Sequence, residues 1–371
     1  MKVFFYVQHL LGIGHLKRAA TLARAMRRAG FEVTLASGGE PVQGIQVLQL
    51  PPVKSDSSFR QLIGENGKPV DEPWKARRRD ALLAAYRAAS PDVLIVELFP
   101  FGRRQMRFEL LPLLEEIRPL FRKKVPDTFS RPLVVCSVRD VLQPNPARED
   151  EALERFERYF DRLMVHGDPG IAAFEHSFGK AARLEGKLYY TGYVVDEMTG
   201  TGDAGKDEVL VSAGGGAVGR KLLETAIAAR PLTHLRDRTW RVLAGPNAQG
   251  LETLQANGVV VERARDDFTL RLRNCVLSIS QAGYNTVVET LQAGARAVLV
   301  PFAGGGESEQ TLRARLLARR GLVHVVEEDV LAPATLAAAI DRAAAGPRPA
   351  PGSIDLDGAR RSAQLLREWL A

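Results

Sequence analysis

Two glycine-rich segments in the later half of the chain contain residue types that can bind a phosphorylated sugar. They are Ser280-Gln-Ala-Gly-Tyr-Asn-Thr-Val-Val-Glu289 and Pro301-Phe-Ala-Gly-Gly-Gly-Glu-Ser-Glu309-Gln310. An apolar run at residues 276–279 precedes the first segment and helical spacing follows its glycine. Gly283 is therefore predicted at a turn from a strand into a helix. Unpaired backbone N–H groups at a helix start favour anions, so this turn can hold a diphosphate.

A carboxylate and a second loop complete the predicted pocket. Glu289 lies about one and a half turns into the helix, where it can accept hydrogen bonds from both hydroxyls of a ribose. Residues 297–300 predict the next buried strand, and the glycines at 304–306 follow its carboxyl end, where ligands bind in open α/β sheets. Taken alone, Glu289 could be a solvated helix charge and the glycines ordinary turns. Their order together favours a nucleotide-sugar site.

Residues 276–325 resemble the donor-binding region of GT-B glycosyltransferases, in particular the MurG-like group of family 28. The resemblance implies that Glu289 binds the donor ribose and that Glu309 and Gln310 hold the hexose hydroxyls. This chain has Glu-Gln where the family has two glutamines, and its glycine loop is one residue longer, so the sugar stays open. The donor-binding residues that we assign are Gly214, Gly215, Gly216, Arg263, Gly283, Tyr284, Asn285, Thr286, Glu289, Gly305, Glu309 and Gln310.

The loop at residues 212–219 has dinucleotide-like spacing but a different predicted role. Gly214, Gly216 and Gly219 fit G-x-G-x-x-G, yet the next strand ends at residues 243–245 without the acid that would bind a ribose. Arg220 follows the last glycine, which disfavours a phosphate-binding loop ending in Lys and Ser or Thr. We therefore expect a backbone cradle for a diphosphate, as in the MurG-like second domain, with uracil near Arg263.

A second chemical signal lies near the start of the chain, in Gln8-His-Leu-Leu-Gly12-Ile-Gly14-His15-Leu-Lys-Arg18. This segment joins the first predicted strand to the first helix. A neutral imidazole there can take a proton from an attacking hydroxyl. The segment resembles the Gly-x-Gly-His-x-x-Arg element of several GT-B groups, including a nucleotide-sugar hydrolase, in which the histidine is a candidate base. His15 is the predicted base, His9 is the rival, and a helix-cap or packing role for His15 is the alternative.

Two acids end predicted strands of the first half. Glu97 follows the apolar run 93–96 and could orient the acceptor, replace His15 as the base, or pair with Arg103 or Arg104. Asp140 has the same ambiguity. We therefore assign His15 and Glu97 as catalytic candidates, with His9, Gly12 and Gly14 in the acceptor-side loop.

Composition and charge limit the class of protein. The 371 residues are 45% hydrophobic and 26% charged, as in a globular protein of two ordinary domains. The two cysteines are expected to be buried thiols, which fits a cytoplasmic location. The net charge of +7 lies in residues 1–195, with basic clusters at 77–79, 103–104 and 122–124. These clusters indicate either a solvated surface or contact with a phosphorylated acceptor or an anionic membrane at its inner face. No nucleic-acid motif accompanies them.

Strand-like runs alternate with helical spacing almost throughout, which predicts an α/β protein with parallel sheets. We expect a first Rossmann-like domain at residues 1–195, a linker at 196–205, a donor-binding domain at 206–350 and a tail with a helix at 351–371. Two doubly wound GT-B domains would face a central cleft. The resemblance implies that the last helix crosses back onto the first domain.

The expected activity is hexosyl transfer from a nucleotide sugar, with UDP as the expected carrier, to an acceptor hydroxyl. We expect inversion, no metal and no cofactor besides the donor. The acceptor is a small molecule, a glycan or a lipid-linked molecule. A nucleotide-sugar hydrolase or epimerase of the same fold is the first alternative, and a non-catalytic sugar-nucleotide-binding protein at the membrane surface is the second.

Overall fold

The computed structural model describes residues 1–10, 12–56, 61–117, 131–214, 219–245, 257–263, 265–350 and 352–371. Within it the chain forms two compact units. Unit 1 contains residues 1–169, 173–194 and 357–371, and unit 2 contains residues 170–172 and 195–356. Each unit is built on a parallel sheet with helices on its faces. Among the described residues, no helix has the length and apolar character needed to cross a membrane.

The strands of the described residues fall into two parallel sheets and one hairpin. In chain order they are β1 (Lys2–Val7), β2 (Glu32–Ser37), β3 (Leu48–Gln49), β4 (Val53–Ser55), β5 (Leu62–Gly64), β6 (Val93–Glu97), β7 (Leu133–Arg139), β8 (Arg162–His166), β9 (Leu188–Tyr190), β10 (Glu208–Ser212), β11 (Thr239–Ala244), β12 (Val259–Arg263), β13 (Leu277–Ser280), β14 (Ala297–Leu299) and β15 (His324–Val325). Unit 1 has the order β3-β2-β1-β6-β7-β8-β9, and unit 2 has β12-β11-β10-β13-β14-β15. The hairpin pairs β4 with β5.

The described α-helices connect and cover these strands. They are α1 (Gly14–Arg28), α2 (Glu72–Ala89), α3 (Arg107–Ile117), α4 (Glu149–Tyr159), α5 (Arg220–Ala229), α6 (Phe268–Asn274), α7 (Tyr284–Gln292), α8 (Glu309–Arg319), α9 (Pro333–Ala345) and α10 (Gly358–Leu370). Because helices cover both faces of a parallel sheet, its central strands are buried along their whole length, as β6 and β10 are. The predicted α/β class with two doubly wound sheets is confirmed.

The last helix packs on unit 1. Ala363, Leu365 and Leu366 on α10 are buried in the same apolar cluster as Leu16 of α1 and Phe5 of β1. This position agrees with the expectation that the last helix crosses back. Residues 357–371 therefore belong to unit 1 in this structure, whereas the sequence placed them in a separate tail.

Residues 196–205, expected to form a linker, lie within unit 2. The Asn274 side chain donates hydrogen bonds to the carbonyls of Gly202, at 2.8 Å, and Ala204, at 2.9 Å. The Arg273 guanidinium donates to the carbonyl of Gly200 at 3.0 Å. The composition of this segment is typical of a linker. Its backbone carbonyls nevertheless accept hydrogen bonds from Arg273 and Asn274, which hold it against the end of α6.

The elements around the first loop differ from prediction in one respect that matters for the site. Helix α1 begins at Gly14, four residues before the start that apolar spacing predicts at Arg18. Glycine and histidine are weak helix formers, so the pattern did not reveal this first turn. His15 is consequently a helical residue, and it lies on the same helix as Arg18.

Candidate functional site

A first candidate site lies at the carboxyl ends of β1 and β6, which are neighbours in the sheet of unit 1. His15 is the second residue of α1, and Glu97 is the last residue of β6. The Nδ1 atom of His15 lies 2.7 Å from Oε1 of Glu97. Arg18 donates from Nη2 to the same oxygen at 2.5 Å. The structure thus joins His15 and Glu97 and adds Arg18, to which the sequence assigned no role.

Burial sets the protonation of this cluster. It lowers the pKa of His15 to about 3, against the opposing effect of Glu97. Burial disfavours the charge of Glu97, but the hydrogen bond from His15 and the positive charges of Arg18 and Arg103 outweigh it and lower the pKa to about 2. At neutral pH the carboxylate is ionised and the imidazole is neutral. The Nδ1 proton therefore faces Glu97, and Nε2 carries the lone pair of a base.

The rival histidine is packed differently. Nε2 of His9 lies 3.0 Å from the carbonyl oxygen of Glu40, and the side chain is 4% exposed. A Cβ atom at Gly39 would lie 2.2 Å from the His9 ring, so only glycine leaves room for it. Burial is also the largest contribution to the lowered pKa of His9. Because His15 is 13% exposed, it is the more accessible of the two bases. A Cβ atom at Gly12 would meet no atom within 4 Å.

A buried network fixes the strand that leads into this loop. Arg78 of α2 is fully buried and donates to both carboxylate oxygens of Glu109, at 2.8 and 2.9 Å. It also donates to the side-chain oxygen of Gln8 at 2.6 Å. Tyr6 donates its hydroxyl hydrogen to Glu109. The arginine cluster at 77–79 therefore includes one interior residue, which its surface-like sequence did not reveal.

The other proposed partners of Glu97 have different contacts. Arg103 donates from Nε to the carbonyl of Gln8 at 2.8 Å, and Arg104 pairs with Glu151 at 2.8 Å. Asp140, at the end of β7, is fully buried, and its Oδ1 accepts from the next backbone N–H at 2.8 Å. In the structure the charge partner of Glu97 in hydrogen-bond contact is therefore Arg18.

A buried histidine ends β8 beside this cluster. His166 contacts the Ser137 hydroxyl through Nε2 at 2.8 Å and the Thr191 hydroxyl through Nδ1 at 2.9 Å. Burial, with a smaller effect of Arg18, lowers the pKa of His166 to about 3. Its hydrogen bonds join β7, β8 and the segment after β9, which indicates a structural role.

A second candidate site lies at the carboxyl ends of β10 and β13, which are neighbours in unit 2. Gly283 is the N-cap of α7, and a Cβ atom there would meet no atom within 4 Å. Gly214 has a left-handed φ of 70°, and a Cβ atom on it would lie 3.5 Å from the Thr286 hydroxyl. The two predicted phosphate loops therefore meet at Gly214 and the first turn of α7. Gly215 and Gly216 lie outside the described residues.

The remaining donor candidates lie on α7 and at the edge of the same sheet. Tyr284 is buried in the first turn of α7, whereas Asn285 and Glu289 are half-buried on that helix. Arg263 ends the edge strand β12 and is exposed. Gly305 lies in a short 3₁₀ turn, Gly304–Gly306, after β14.

The predicted sugar contacts begin α8, and a buried arginine holds one of them. Arg313 is fully buried and donates from Nη2 to Oε1 of Glu309 at 2.7 Å. It also donates to the carbonyl of Ala282 at 3.1 Å and lies over the Tyr284 ring. Gln310 accepts from the backbone N–H of Phe302 at 3.2 Å, which directs its carboxamide oxygen inward. The i, i+4 spacing of Glu309 and Arg313 was the available sequence signal for this ion pair.

Unit 1 also contains a basic groove of about 510 Å³ between the hairpin and α3. The cationic side chains among its described lining residues are Lys75, Arg104, Arg107 and Arg148, and no acidic residue is among them. Lys75 pairs with Glu72 at 2.6 Å, and Arg104 pairs with Glu151. Leu62, Val70 and Phe108 are among its apolar lining residues. The predicted basic clusters contribute Arg104, whereas residues 122–124 lie outside the described part of the chain.

Acidic clusters do not indicate a metal centre in the described ranges. No group of three or more His, Cys, Asp or Glu side chains there has the arrangement of a metal site. Asp355-Leu-Asp357 is an Asp-x-Asp sequence, but Asp357 is the N-cap residue of α10 and accepts from Arg360 at 2.9 Å.

Comparison with known proteins assigns a family to the second unit. Residues 214–355 match the glycosyltransferase family 28 C-terminal domain. A UDP-N-acetylglucosamine–N-acetylmuramyl-(pentapeptide) pyrophosphoryl-undecaprenol N-acetylglucosamine transferase of Ralstonia nicotianae is 32% identical over 132 residues, 33% of this chain and 36% of that protein. The enzyme of the same name from Phenylobacterium zucineum is 26% identical over 365 residues, 90% of this chain and 87% of that protein.

The fold is also found among solved glycosyltransferases. The glycosyltransferase of kitacinnamycin aligns with a TM-score of 0.65 at 16% identity, covering 100% of this chain and 99% of that one. At this identity the likeness concerns the fold. It extends over both units, including the first, which the family profile does not cover.

Proposed function

Because this chain is a GT-B glycosyltransferase of family 28, we propose that it transfers a hexose from a UDP-sugar to an acceptor hydroxyl, with inversion. The observation that carries the proposal is the contact of Nδ1 of His15 with Glu97, which together with the burial of the imidazole leaves Nε2 unprotonated at neutral pH. An oriented neutral histidine can accept the proton of an attacking alcohol.

In the proposed reaction the acceptor oxygen attacks the anomeric carbon of the sugar. Its proton passes to Nε2 of His15, a carbon–oxygen bond forms, and the bond to the diphosphate breaks. The diphosphate leaves with the electron pair of that bond. Glu97 remains a carboxylate, and its negative charge stabilises the imidazolium as it forms. This assigns Glu97 an orienting role and His15 the proton transfer.

On the donor side, the diphosphate would lie against the backbone at Gly214 and the first turn of α7. Helix-start N–H groups can stabilise the negative charge of the leaving diphosphate, so the proposed reaction requires no metal ion and no cofactor besides the donor. Glu289 would bind the ribose, with uracil near Arg263. Gln310 and Glu309 would bind the hexose.

The acceptor is proposed to carry a negative charge, because four cationic side chains and no acidic ones are among the described residues that line the basic groove of unit 1. Its apolar residues suit a lipid-linked or aromatic portion of the same molecule. The groove would also support peripheral contact with an anionic membrane surface at the cytoplasmic side. Vesicles with and without anionic phospholipid, compared by sedimentation, test that contact.

Nucleotide release from a panel of nucleotide sugars tests the main proposal. The panel contains hexoses linked to UDP, dTDP and GDP, each incubated with and without candidate acceptors. Slow release that an acceptor stimulates supports the transferase, whereas rapid release without an acceptor indicates a hydrolase. Binding without turnover indicates a binding protein, and no calorimetric heat with any donor contradicts the proposal.

Two substitutions separate the roles of the two loops. Glu289→Ala should abolish nucleotide affinity, whereas Glu224→Ala on the exposed face of α5 should not change it. His15→Ala should retain nucleotide affinity and lose turnover, with the exposed His234→Ala as its control. Unchanged turnover in His15→Ala would move the base to another residue.

A further inference from the structure

Arg18 contacts the Glu97 carboxylate that faces the proposed base, His15, yet no step of the proposed reaction uses Arg18. We propose that Arg18 is a positioning residue, which fixes the Glu97 carboxylate against His15 and keeps His15 unprotonated. The inference rests on the proposed function of His15 as the base. In this proposal Arg18 controls the protonation state of His15 and does not contact the substrate.

The helix geometry supports this role. His15 and Arg18 are three residues apart on α1, so they project from the same face of the helix. Both direct a nitrogen at one oxygen of Glu97, at 2.7 and 2.5 Å. Arg18 is 3% exposed and Glu97 is 1% exposed, so solvent does not weaken this contact. The carboxylate cannot rotate away from His15 without breaking its contact with Arg18.

The charge balance supports the second part of the inference. A buried carboxylate that faces a histidine alone stabilises the imidazolium form. Here Arg18 already supplies one positive charge to Glu97, and the pair is neutral before His15 is considered. Protonation of His15 would therefore leave the buried cluster with a net positive charge, so Arg18 offsets part of the stabilisation that Glu97 gives the imidazolium.

The other charged groups that face His15 also disfavour its protonation. Arg103, after β6, and Arg139, at the end of β7, both lower the pKa of His15 after the larger effect of burial. His166, at the end of β8, is itself neutral because burial lowers its pKa to about 3. Glu97 is thus the group whose charge favours an imidazolium, and Arg18 is the cation that contacts it.

Two substitutions separate the effect of the Arg18 charge from the effect of its side-chain shape. Arg18→Gln keeps a hydrogen-bond donor and removes the charge, whereas Arg18→Lys keeps the charge on a shorter side chain. Arg24→Met, on the exposed side of the same helix, is the control. For each variant kcat and the donor KM are measured from pH 3 to 9, and thermal melting at each pH establishes that the variant is folded.

In the wild type, protonation of His15 should not lower kcat at mildly acidic pH, because the His15 imidazole is unprotonated there. In Arg18→Gln the uncompensated carboxylate raises the pKa of His15, so the acidic limb of kcat should move up by about one pH unit or more. Arg18→Lys should show a smaller shift, and Arg24→Met none. The donor KM should change less than about twofold in all three, because the donor-binding candidates belong to unit 2.

Nitrogen-15 NMR of labelled histidine gives a readout that does not depend on turnover. At pH 6 His15 should show a protonated Nδ1 and an unprotonated Nε2, and as the pH is lowered the imidazolium of Arg18→Gln should appear about one pH unit or more above that of the wild type. His15→Gln assigns the resonance. If Arg18→Gln retains the wild-type kinetic pH profile and the wild-type His15 titration, the inference is wrong even though His15 remains the base.

The folding of the variants does not decide the outcome. Should Arg18→Gln fail to fold, Arg18→Lys carries the test, and a lowered kcat with an unshifted acidic limb would then overturn the inference. The activity of His15→Ala is a separate result. If that variant keeps full turnover, the proposed function fails, and the NMR state of His15 still reports whether Arg18 controls its protonation.

Discussion

Replacing Arg78 by methionine should destabilise unit 1 more than other single changes of a charged side chain on α2. The guanidinium donates to Glu109, to Gln8 and to the carbonyls of Gly38 and Pro51, the last two at 2.8 and 2.7 Å. Arg78 and Glu109 are both fully buried. Methionine fills a similar volume but leaves the Glu109 carboxylate without its cation.

The magnitude follows from this burial. Removing one partner of a buried ion pair costs about 3–5 kcal/mol, chiefly because the remaining charge is left uncompensated. In a unit of about 200 residues, 1 kcal/mol lowers Tm by about 2–4 °C. We therefore expect the thermal transition of unit 1 to fall by roughly 6–20 °C. Burial opposes the charge of Arg78, but its pKa is raised because Glu109 stabilises the cation, in keeping with a strong pair.

Differential scanning calorimetry measures the transition, with Arg79→Met as the matched control. Arg79 and its partner Asp80 are both exposed, so this change should alter stability by at most about 0.5 kcal/mol. The double variant Arg78→Met with Glu109→Gln should recover part of the loss, because no buried charge then remains unpaired. Equal Tm values for Arg78→Met and Arg79→Met would refute the assignment of a buried network.

Three further predictions concern pH, a glycine and the last helix. His166 stays neutral in the folded chain down to about pH 3, while the unfolded chain takes up its proton below about pH 6.5, so stability falls as pH decreases between these values. In urea titrations His166→Asn should remove about 2 kcal/mol of the loss between pH 7 and pH 5; an unchanged slope contradicts this. Gly219→Ala should weaken nucleotide binding in calorimetry, because its Cβ would lie 2.5 Å from that of Ala213, whereas Gly202→Ala has a similar φ without a clash. Leu366→Ala should lower the free energy of unfolding by about 2–5 kcal/mol in urea titrations, and a loss below 1 kcal/mol would show that the helix is not packed as described.

The backbone arrangement of the site could be predicted because it follows from strand ends and turns. Apolar runs located β6, β10 and β13 to within one residue, and parallel strands place their carboxyl ends together. The juxtaposition of Gly214 with the first turn of α7 follows from that rule. The short strand β9 and the hairpin β4–β5 were not predicted, since three-residue strands give too little pattern to recognise.

The buried arginines could not be predicted in the same way. Arg18, Arg78 and Arg313 each lie on a helix among exposed charged residues, and a charged side chain is ordinarily read as solvated. Their burial depends on partners that are distant in sequence, such as Glu97 for Arg18 and Glu109 for Arg78. Only the Arg313 pair has local spacing.

The structure also differs from the sequence prediction for Glu309, because Glu309 pairs with a buried arginine. Its position beside Gln310 indicates two polar groups directed at a sugar, but the structure gives one of its oxygens to Arg313. The burial of this ion pair depends on tertiary packing, and the i, i+4 spacing alone does not encode it.

Two of the points where the chain passes between the units, after Val194 and before Asp357, lie side by side, since the backbone N–H of Gly358 donates to the carbonyl of Tyr193 at 3.1 Å. In topological terms residues 195–356 are an insertion between these two points. A contiguous fragment that ends at residue 195 would lose the apolar cover that α10 provides. Residues 195–356 are instead the segment to exchange in chimeras. The matching segment of a homologous enzyme with another nucleotide preference could be joined at these two neighbouring junctions.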